Sequence, residues 1–153
     1  MIRFRTFSKA YGVAGARIGY GIGNEELIAE FDKIRNHFGN SLLSQVAAIA
    51  AIKDQRYLSE IVKKISLGRE EIYQIAQSNG LVAIPSATNF VAIDCGKDGK
   101  FADQIMNGLL EAKLFVRKPV VAPLDRTIRV TVGRDEEIDL LKNVLPDVLK
   151  ALR

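Results

Sequence analysis

The sequence predicts a mixed α/β chain in which helices pack on a small, mostly antiparallel sheet. Three observations indicate this fold class: short runs of alternating apolar and polar residues, longer segments with apolar residues three and four apart, and glycine or asparagine at the breaks between them. The chain has 153 residues, 48% of them hydrophobic. This length and composition are typical of about one ordinary globular domain with its own apolar core.

The front of the chain is predicted to form two strands followed by two helices. "MIRFRTF" alternates apolar and basic residues, and "ARIGYGIG" is a second strand whose glycines allow close approach. Asn24 is a favourable N-cap for a helix whose apolar positions continue to Phe38, before Gly39 and Asn40 interrupt it. Ser41 begins the helix "SLLSQVAAIAAIK", which is apolar nearly all round, so we expect it to be buried.

The rest of the chain is predicted to begin with a long amphipathic helix from Tyr57 to a stop at Asn79 and Gly80. Strands follow at "LVAI" and "NFVAID", then the helix "FADQIMNGLLEAKL", then short strands at "FVRK" and "TIRVTV". The last helix is "DEEIDLLKNVLPDVLKAL", which we expect Pro146 to kink or divide. This order predicts an α+β sandwich with the helices on one face of the sheet.

Composition excludes several classes of site. The sequence has no apolar run long enough to cross a bilayer, and "MIRFRTFSK" lacks the apolar core of a signal peptide, so we expect no membrane association. Cys95 is the single cysteine and His37 the single histidine. An internal disulfide is therefore impossible, and we expect no metal site and no Cys–His catalytic pair. The lone cysteine favours a reducing, cytoplasmic location.

The positive charge is concentrated near the start of the chain. Arg3, Arg5, Lys9 and Arg17 all precede the first acidic residue, Glu25, and the remaining basic residues equal the 18 acidic ones in number. A basic surface spread over a whole face is typical of nucleic-acid binding, and this chain lacks that pattern. A focused excess inside a glycine-rich segment instead favours a compact anion such as a phosphate.

Lys9 lies between a serine and a glycine-rich turn, with Arg17 eight positions later. A lysine amine attacks a carbonyl only as the free base, a form that nearby positive charge favours, and it can then make a Schiff base with an aldehyde. The Ser8 hydroxyl, the turn amides and Arg17 could hold a phosphate on the same molecule. A lysine, a phosphate cradle and an aldehyde together indicate pyridoxal phosphate. The alternative is that Lys9 is an ordinary solvated lysine.

In "TIRVTV", the alternation places Ile128 and Val130 on one face of a strand and Arg129 on the other. A guanidinium held between β-branched residues is suited to clamping a carboxylate. The alternative is an arginine on an edge strand, in solvent. Tyr11 and Tyr20 lie in the basic segment, and we expect both to pack rather than to act chemically.

The segment "TFSKAYGVAGARIGYGIG" resembles the cofactor-lysine segment of fold-type I, pyridoxal-phosphate-dependent aminotransferases, above all the histidinol-phosphate aminotransferase branch. The resemblance implies that Lys9 carries the cofactor and that Ser8 and Arg17 hold its phosphate. "IRVTVGRDEEIDLL" resembles the closing strand and helix of the family, where the arginine matching Arg129 binds the substrate carboxylate. "LFVRK" is similar to a neighbouring segment, and the resemblance implies that Arg117 helps to hold the anionic end of the substrate.

The resemblance implies a reaction as well as a site. It is the transfer of an amino group between histidinol phosphate, or an aromatic amino acid, and a 2-oxo acid such as 2-oxoglutarate. A decarboxylase that uses the same cofactor is a related alternative. The partners would be these small molecules, with no nucleic acid, and the full-length enzyme would be a homodimer.

The resemblance covers the later part of the family's chain. It implies that residues 1–40 are the end of the large cofactor-binding domain and that residues 41–153 are the small C-terminal domain with its linking helices. The family's aspartate for the pyridine nitrogen and its stacking aromatic belong to an earlier part that these residues do not match, so we expect this chain alone to be inactive. The alternative is a non-catalytic α+β assembly or dimerisation module derived from the same fold, its apolar helix and open sheet edge binding a partner.

Overall fold

A computed structural model describes residues 1–152 and has the mixed architecture that the sequence predicts. The elements follow in the order β1 (Arg3–Thr6), β2 (Gly19–Ile22), α1 (Glu25–Ala29), α2 (Leu42–Lys53), α3 (Gln55–Ser78), β3 (Val82–Ile84), β4 (Phe90–Asp94), α4 (Gly99–Glu111), β5 (Thr127–Thr131) and α5 (Asp135–Ala151). Short 3-10 turns lie at Ala14–Ala16, Glu30–Lys33 and Leu124–Arg126.

The chain divides into two compact units. The first is Met1–Lys63 and the second begins at Lys64, so the division falls inside α3. The assignment of residues 1–40 to a large domain and of residues 41–153 to a small one concerns the family's full chain and stays a prediction.

The first unit is built on an antiparallel hairpin. β1 pairs with β2 in a register that places Arg3 opposite Ile22 and Thr6 opposite Gly19. Gly19 is required there, because a Cβ atom would lie 2.6 Å from the carbonyl oxygen of Arg5.

The loop that joins the two strands folds over Phe7, the residue directly after β1. Phe7 is buried, with its ring centre 4.8 Å from that of Tyr11 and 5.7 Å from that of Tyr20. Both tyrosines therefore pack, as expected, and this small aromatic cluster fixes the loop.

The two helices of the first unit differ from the sequence prediction. Asn24 caps α1, accepting from the Glu26 amide, but the α-helix ends at Ala29 and gives way to a 3-10 turn rather than continuing to Phe38. Ile34 and Phe38 are exposed. A short helix is only marginally stable unless its apolar face is packed. Within residues 1–152 no surface buries these two side chains.

The helix opened by Ser41 is present as α2, and the Ser41 hydroxyl accepts from the Ser44 amide as an N-cap. The prediction that it is buried is wrong: Ala48 is its one buried residue, and Leu43 is 81% exposed. An apolar helix is stabilised when another apolar surface packs against it. The described residues do not provide such a surface for α2.

The second unit is a three-stranded antiparallel sheet, in the order β3–β4–β5, covered by helices. Val91 lies opposite Val130 and Ile93 opposite Ile128, and all four are buried on the inner face. The predicted alternation in "TIRVTV" is therefore confirmed for Ile128 and Val130. Apolar residues of the three helices complete the core, chiefly Ile72 and Ile75 of α3, Ile105 and Leu109 of α4, and Leu141 and Leu145 of α5.

The long helix α3 lies close to the end of the sheet because it carries a glycine there. A Cβ atom on Gly68 would lie 2.6 Å from a methyl group of Val132 and 3.0 Å from the Ile138 side chain. Glycine therefore lets α3 lie close to Val132 and Ile138 without displacing their side chains.

Pro146 does not divide the last helix, because α5 runs without a break from Asp135 to Ala151. Leu145 and Leu149, on either side of it, are buried in the core, whereas Pro146 itself is exposed. The packing of its neighbours holds the chain helical across a residue that lacks an N–H donor.

Candidate functional site

The loop between β1 and β2 carries the three residues of the predicted cofactor site. Ser8 is half-buried directly after Phe7, and Lys9 and Arg17 are exposed. The loop is closed by backbone hydrogen bonds: Gly12 donates to the Lys9 carbonyl at 2.9 Å, and Val13 donates to the Phe7 carbonyl at 3.1 Å. The loop is thus an ordered turn rather than a loose connection.

Ser8 and Arg17 come together although eight residues separate them. The Arg17 Nη1 atom donates to the Ser8 hydroxyl at 3.4 Å and to the Ala14 carbonyl at 3.0 Å. Arg17 has a φ of 49°, in the left-handed region, which costs a non-glycine residue on the order of 1 kcal/mol. This backbone conformation places the chain so that the guanidinium reaches back across the loop.

Thr6 joins this pair and extends it into a cluster of three polar groups. Its hydroxyl lies 3.0 Å from the Ser8 hydroxyl and accepts from the Ser8 amide, also at 3.0 Å. Two hydroxyls and one guanidinium therefore converge at the end of the hairpin. Neither Lys9 nor Arg17 forms an ion pair within residues 1–152, so the positive charge of the loop is not neutralised there. The arrangement suits an anion with several oxygens.

The second unit brings Arg117 and Arg129 side by side. Arg117 donates to the Arg129 carbonyl at 3.2 Å, and Arg129 donates to the Arg117 carbonyl at 2.6 Å, an antiparallel bridge. Residues so paired project their side chains on the same face, with Cβ atoms about 5 Å apart. Because Ile128 and Val130 fill the inner face, both arginines lie on the outer one.

The prediction that "FVRK" forms a strand is wrong in part, because only the single bridge at Arg117 forms. Pro119 follows two residues later and has no N–H with which to continue a ladder. Lys118 points to the other side of the segment, where its ammonium pairs with Asp103 of α4 at 3.3 Å and its side chain is only 11% exposed. This ion pair anchors the segment and leaves Arg117 on the outer face.

Although β5 is the edge strand of the sheet, the alternative of an arginine in solvent does not describe Arg129. It is half-buried, with β4 on one side and Arg117 on the other. Its guanidinium carbon lies 4.8 Å from the centre of the Phe90 ring. Neither arginine forms an ion pair among residues 1–152. Two like charges directly opposite repel each other, and an anion bound between them would relieve that repulsion.

Two residues of these sites were missed by sequence reasoning. The sequence gives only a weak indication for Thr6: its hydroxyl lies at the end of a predicted strand, two positions before the hydroxyl of Ser8. Phe90 is apolar and resembles a core residue until the register places it diagonally from Arg129.

Residues 1–152 contain neither a cluster of metal ligands nor a membrane-spanning helix. No group of three or more histidine, cysteine, aspartate or glutamate residues is placed to hold a metal ion there. None of the helices described in that range has the length and apolar character needed to span a membrane.

The sequence matches the family model for aminotransferases of class I and II over residues 1–145, and the chain belongs to that family. Among its relatives are the histidinol-phosphate aminotransferases of Bacillus velezensis, 39% identical over 145 residues, and of Bacillus pumilus, 40% identical over 153 residues. These alignments cover 95% and 100% of this chain but only 39% and 41% of the two relatives. The chain thus spans about two fifths of their length.

The fold also matches that of a solved structure in this family. The histidinol-phosphate aminotransferase of Sinorhizobium meliloti, determined in complex with pyridoxal-5'-phosphate, superposes with a TM-score of 0.95 at 52% sequence identity. The match covers 99% of this chain and 42% of that one. The predicted fold class and family are therefore confirmed.

Proposed function

We propose that this chain supplies the cofactor lysine and the substrate arginines of a pyridoxal-phosphate-dependent aminotransferase. The proposed reaction moves an amino group between histidinol phosphate, or an aromatic amino acid, and a 2-oxo acid such as 2-oxoglutarate. The observation that carries the proposal is the position of Lys9, next to an anion cradle, in a chain that resembles histidinol-phosphate aminotransferases along its whole length.

The cradle fits the phosphate of that cofactor. The Thr6 hydroxyl lies 3.0 Å from the Ser8 hydroxyl, and the Arg17 Nη1 atom lies 3.4 Å from that same Ser8 hydroxyl. All three groups could therefore donate to one phosphate. When bound, pyridoxal phosphate supplies an electron sink for the carbanion that forms at the substrate α-carbon. Arg17 and the hydroxyls would fix the position of the phosphate, and with it the distance from the ring to Lys9.

Lys9 has two proposed roles. Its Nζ atom would hold the cofactor before substrate arrives. Once displaced by the substrate amine, the same Nζ atom would accept the proton from the substrate α-carbon and deliver it to the C4′ atom of the cofactor. The Lys9 side chain is exposed and forms no ion pair within residues 1–152. No carboxylate of the described chain therefore competes for its Nζ atom.

Arg129 and Arg117 are proposed to hold the anionic groups of the substrate. The outer face of the sheet presents two guanidiniums without a carboxylate partner in the described chain, and a bidentate carboxylate or a phosphate suits such a pair. The complete enzyme would act as a homodimer in the cytoplasm. The earlier family segments, with the partner of the pyridine nitrogen, are needed for turnover, and we propose that this chain alone is inactive.

The exposed apolar surface of α2 favours a second candidate, the non-catalytic assembly module. Leu43 and Val46 are exposed on that helix at 81% and 57%, which suits a protein contact rather than a solvent face. This candidate gives no reason for Thr6, Ser8 and Arg17 to converge beside Lys9.

The experiment that decides between them is a titration of the purified chain with pyridoxal phosphate, followed by visible absorbance. We expect a saturable absorbance band that borohydride reduction removes, with the label mapping to Lys9 by mass spectrometry. Lys9→Ala should abolish the band, and Arg17→Ala should raise the apparent Kd about 10- to 100-fold, because a charge-assisted contact with phosphate is lost.

Lys64→Ala is the matched control, since Lys64 is an exposed lysine outside the cradle. This variant should bind pyridoxal phosphate like the wild type. Label scattered over several lysines, or equal affinity in the wild type and Arg17→Ala, would contradict the cofactor site and favour the assembly module.

A further inference from the structure

The outer face of the three-stranded sheet holds a contact that the proposed site does not require: the contact between Arg129 and Phe90. Phe90 is half-buried on β4 and lies opposite Thr131. It is therefore the diagonal neighbour of Arg129, on the same face of the sheet. A guanidinium 4.8 Å from the ring centre is within the range of a cation–π interaction.

The neighbours of Arg129 show why such a contact is useful. On one side stands Arg117, whose like charge repels it. On the other side the directly opposite residue is Ala92, whose methyl group is too short to hold a guanidinium. The other diagonal neighbour on this face, Asp94, is a carboxylate that pairs with Arg126 at 2.9 Å. Phe90 thus supplies the large attractive surface beside Arg129. The ring uses none of the five N–H donors of the arginine, so these remain available to a carboxylate.

We infer that Phe90 is a positioning residue for Arg129, and through it for the carboxylate of the substrate. The ring holds the guanidinium over β4 and away from Arg117, so that the two arginines present separated donors to one anionic molecule. Without the ring, Arg129 samples more rotamers, and binding must then restrict them. This inference rests on the proposed role of Arg129 in binding a carboxylate.

The test uses the complete 153-residue chain, 15N-labelled, and follows the Arg129 Nε–Hε signal by NMR during titration with 2-oxoglutarate. Arg129→Lys identifies the signal. Phe90→Leu and Phe90→Met remove the ring while keeping apolar volume, so that one variant remains if the other fails to fold by circular dichroism. Phe90→Tyr retains the ring, and Phe38→Leu is the matched control at an exposed phenylalanine of the first unit.

In the wild type we expect an Arg129 signal that is displaced by the ring current and that moves saturably with 2-oxoglutarate. In Phe90→Leu and Phe90→Met the displacement should vanish, and Kd should rise about three- to fivefold. Phe90→Tyr should restore both values to within twofold of wild type, and Phe38→Leu should change neither.

The two proposals fail in distinguishable ways. An Arg129 signal that does not respond to 2-oxoglutarate in the wild type overturns the carboxylate role and this inference with it. A wild-type response that keeps the same Kd in the ringless variants overturns the positioning role of Phe90 alone. An Arg129 signal without ring-current displacement also overturns it.

Discussion

Arg17 and Cys95 illustrate how single residues in this chain are set by their surroundings. Arg17 adopts a left-handed backbone conformation, and the guanidinium hydrogen bonds to Ser8 and Ala14 are contacts that help to hold that conformation. Cys95 lies in the core, 2% exposed, and burial raises the pKa of its thiol to about 11. The first residue is proposed to bind a phosphate, whereas the second is an inert part of the packing.

The raised pKa of Cys95 predicts a pH dependence of stability. The unfolded thiol ionises near its ordinary pKa of 9.0, while the folded thiol stays protonated until about pH 11. The folded state therefore binds more protons in that window, and the free energy of unfolding should fall by about 2 kcal/mol as the pH rises through it.

Urea unfolding of the wild type and of Cys95→Ala at pH 8, 9, 10 and 11 measures this effect. We expect the wild type to lose more stability than the variant, in which the thiol contribution is absent. Parallel pH profiles for the two proteins would show that the thiol does not contribute.

Each helix of the second unit presents a row of apolar residues to the sheet, and this packing overrides local preference. The clearest case is α5, where Ile138, Leu141, Leu145 and Leu149 are buried and hold the helix continuous through Pro146. Because Pro146 lacks an N–H group, the Lys142 carbonyl has no donor in the next turn. The helix is thus retained at a local cost.

Replacing that proline should stabilise the protein. Pro146→Ala restores the donor for the Lys142 carbonyl and loses no core contact, since Pro146 is exposed. The gain in helix propensity is about 3 kcal/mol at most, and part is offset by the greater freedom of the unfolded chain. We expect the free energy of unfolding to rise by about 1–2 kcal/mol in urea denaturation.

Asn143→Ala is a matched control on the exposed side of α5 and should change stability by less than about 0.7 kcal/mol. A Pro146→Ala variant that is no more stable than this control would mean that the helix has already adapted to the proline.

For the molecule as a whole, the two compact units differ in how well they cover their apolar residues. The unit that begins at Lys64 has a closed core between sheet and helices. The unit Met1–Lys63 exposes much of its apolar content, and Ile34, Phe38, Leu42 and Leu43 are each more than 70% exposed. A soluble monomer rarely leaves so many large apolar side chains in water, so this surface is suited to a protein contact.

This exposure predicts strong binding of the dye anilinonaphthalene sulfonate by the purified chain. The double variant Leu43→Gln, Val46→Gln should lower the dye fluorescence, because both side chains lie on the exposed surface of α2. Circular dichroism should show no loss of helix, since glutamine has a good helix propensity.

Lys63→Gln, Lys64→Gln is the control, at exposed polar positions of α3. Equal fluorescence in wild type and in the α2 variant would show that the dye binds elsewhere and that the α2 surface is covered in solution.

The sequence by itself determined the order of elements apart from the strand predicted at "FVRK". It also determined the caps at Asn24 and Ser41, the inner face of β5, and the grouping of Ser8, Lys9 and Arg17 in one glycine-rich turn. These features depend on residues close together in the chain, where alternation, capping and turn chemistry act directly. Family membership followed from the same local motif.

Only the tertiary structure decided the rest. It showed that α1 stops at Ala29, that α2 is exposed, and that Arg129 has Phe90 as its diagonal neighbour and Arg117 opposite. Burial depends on what surface is available to cover a helix, and register depends on how distant strands align. An apolar or alternating pattern specifies which face of an element is to be buried. The surface that buries it is fixed only when the chain folds.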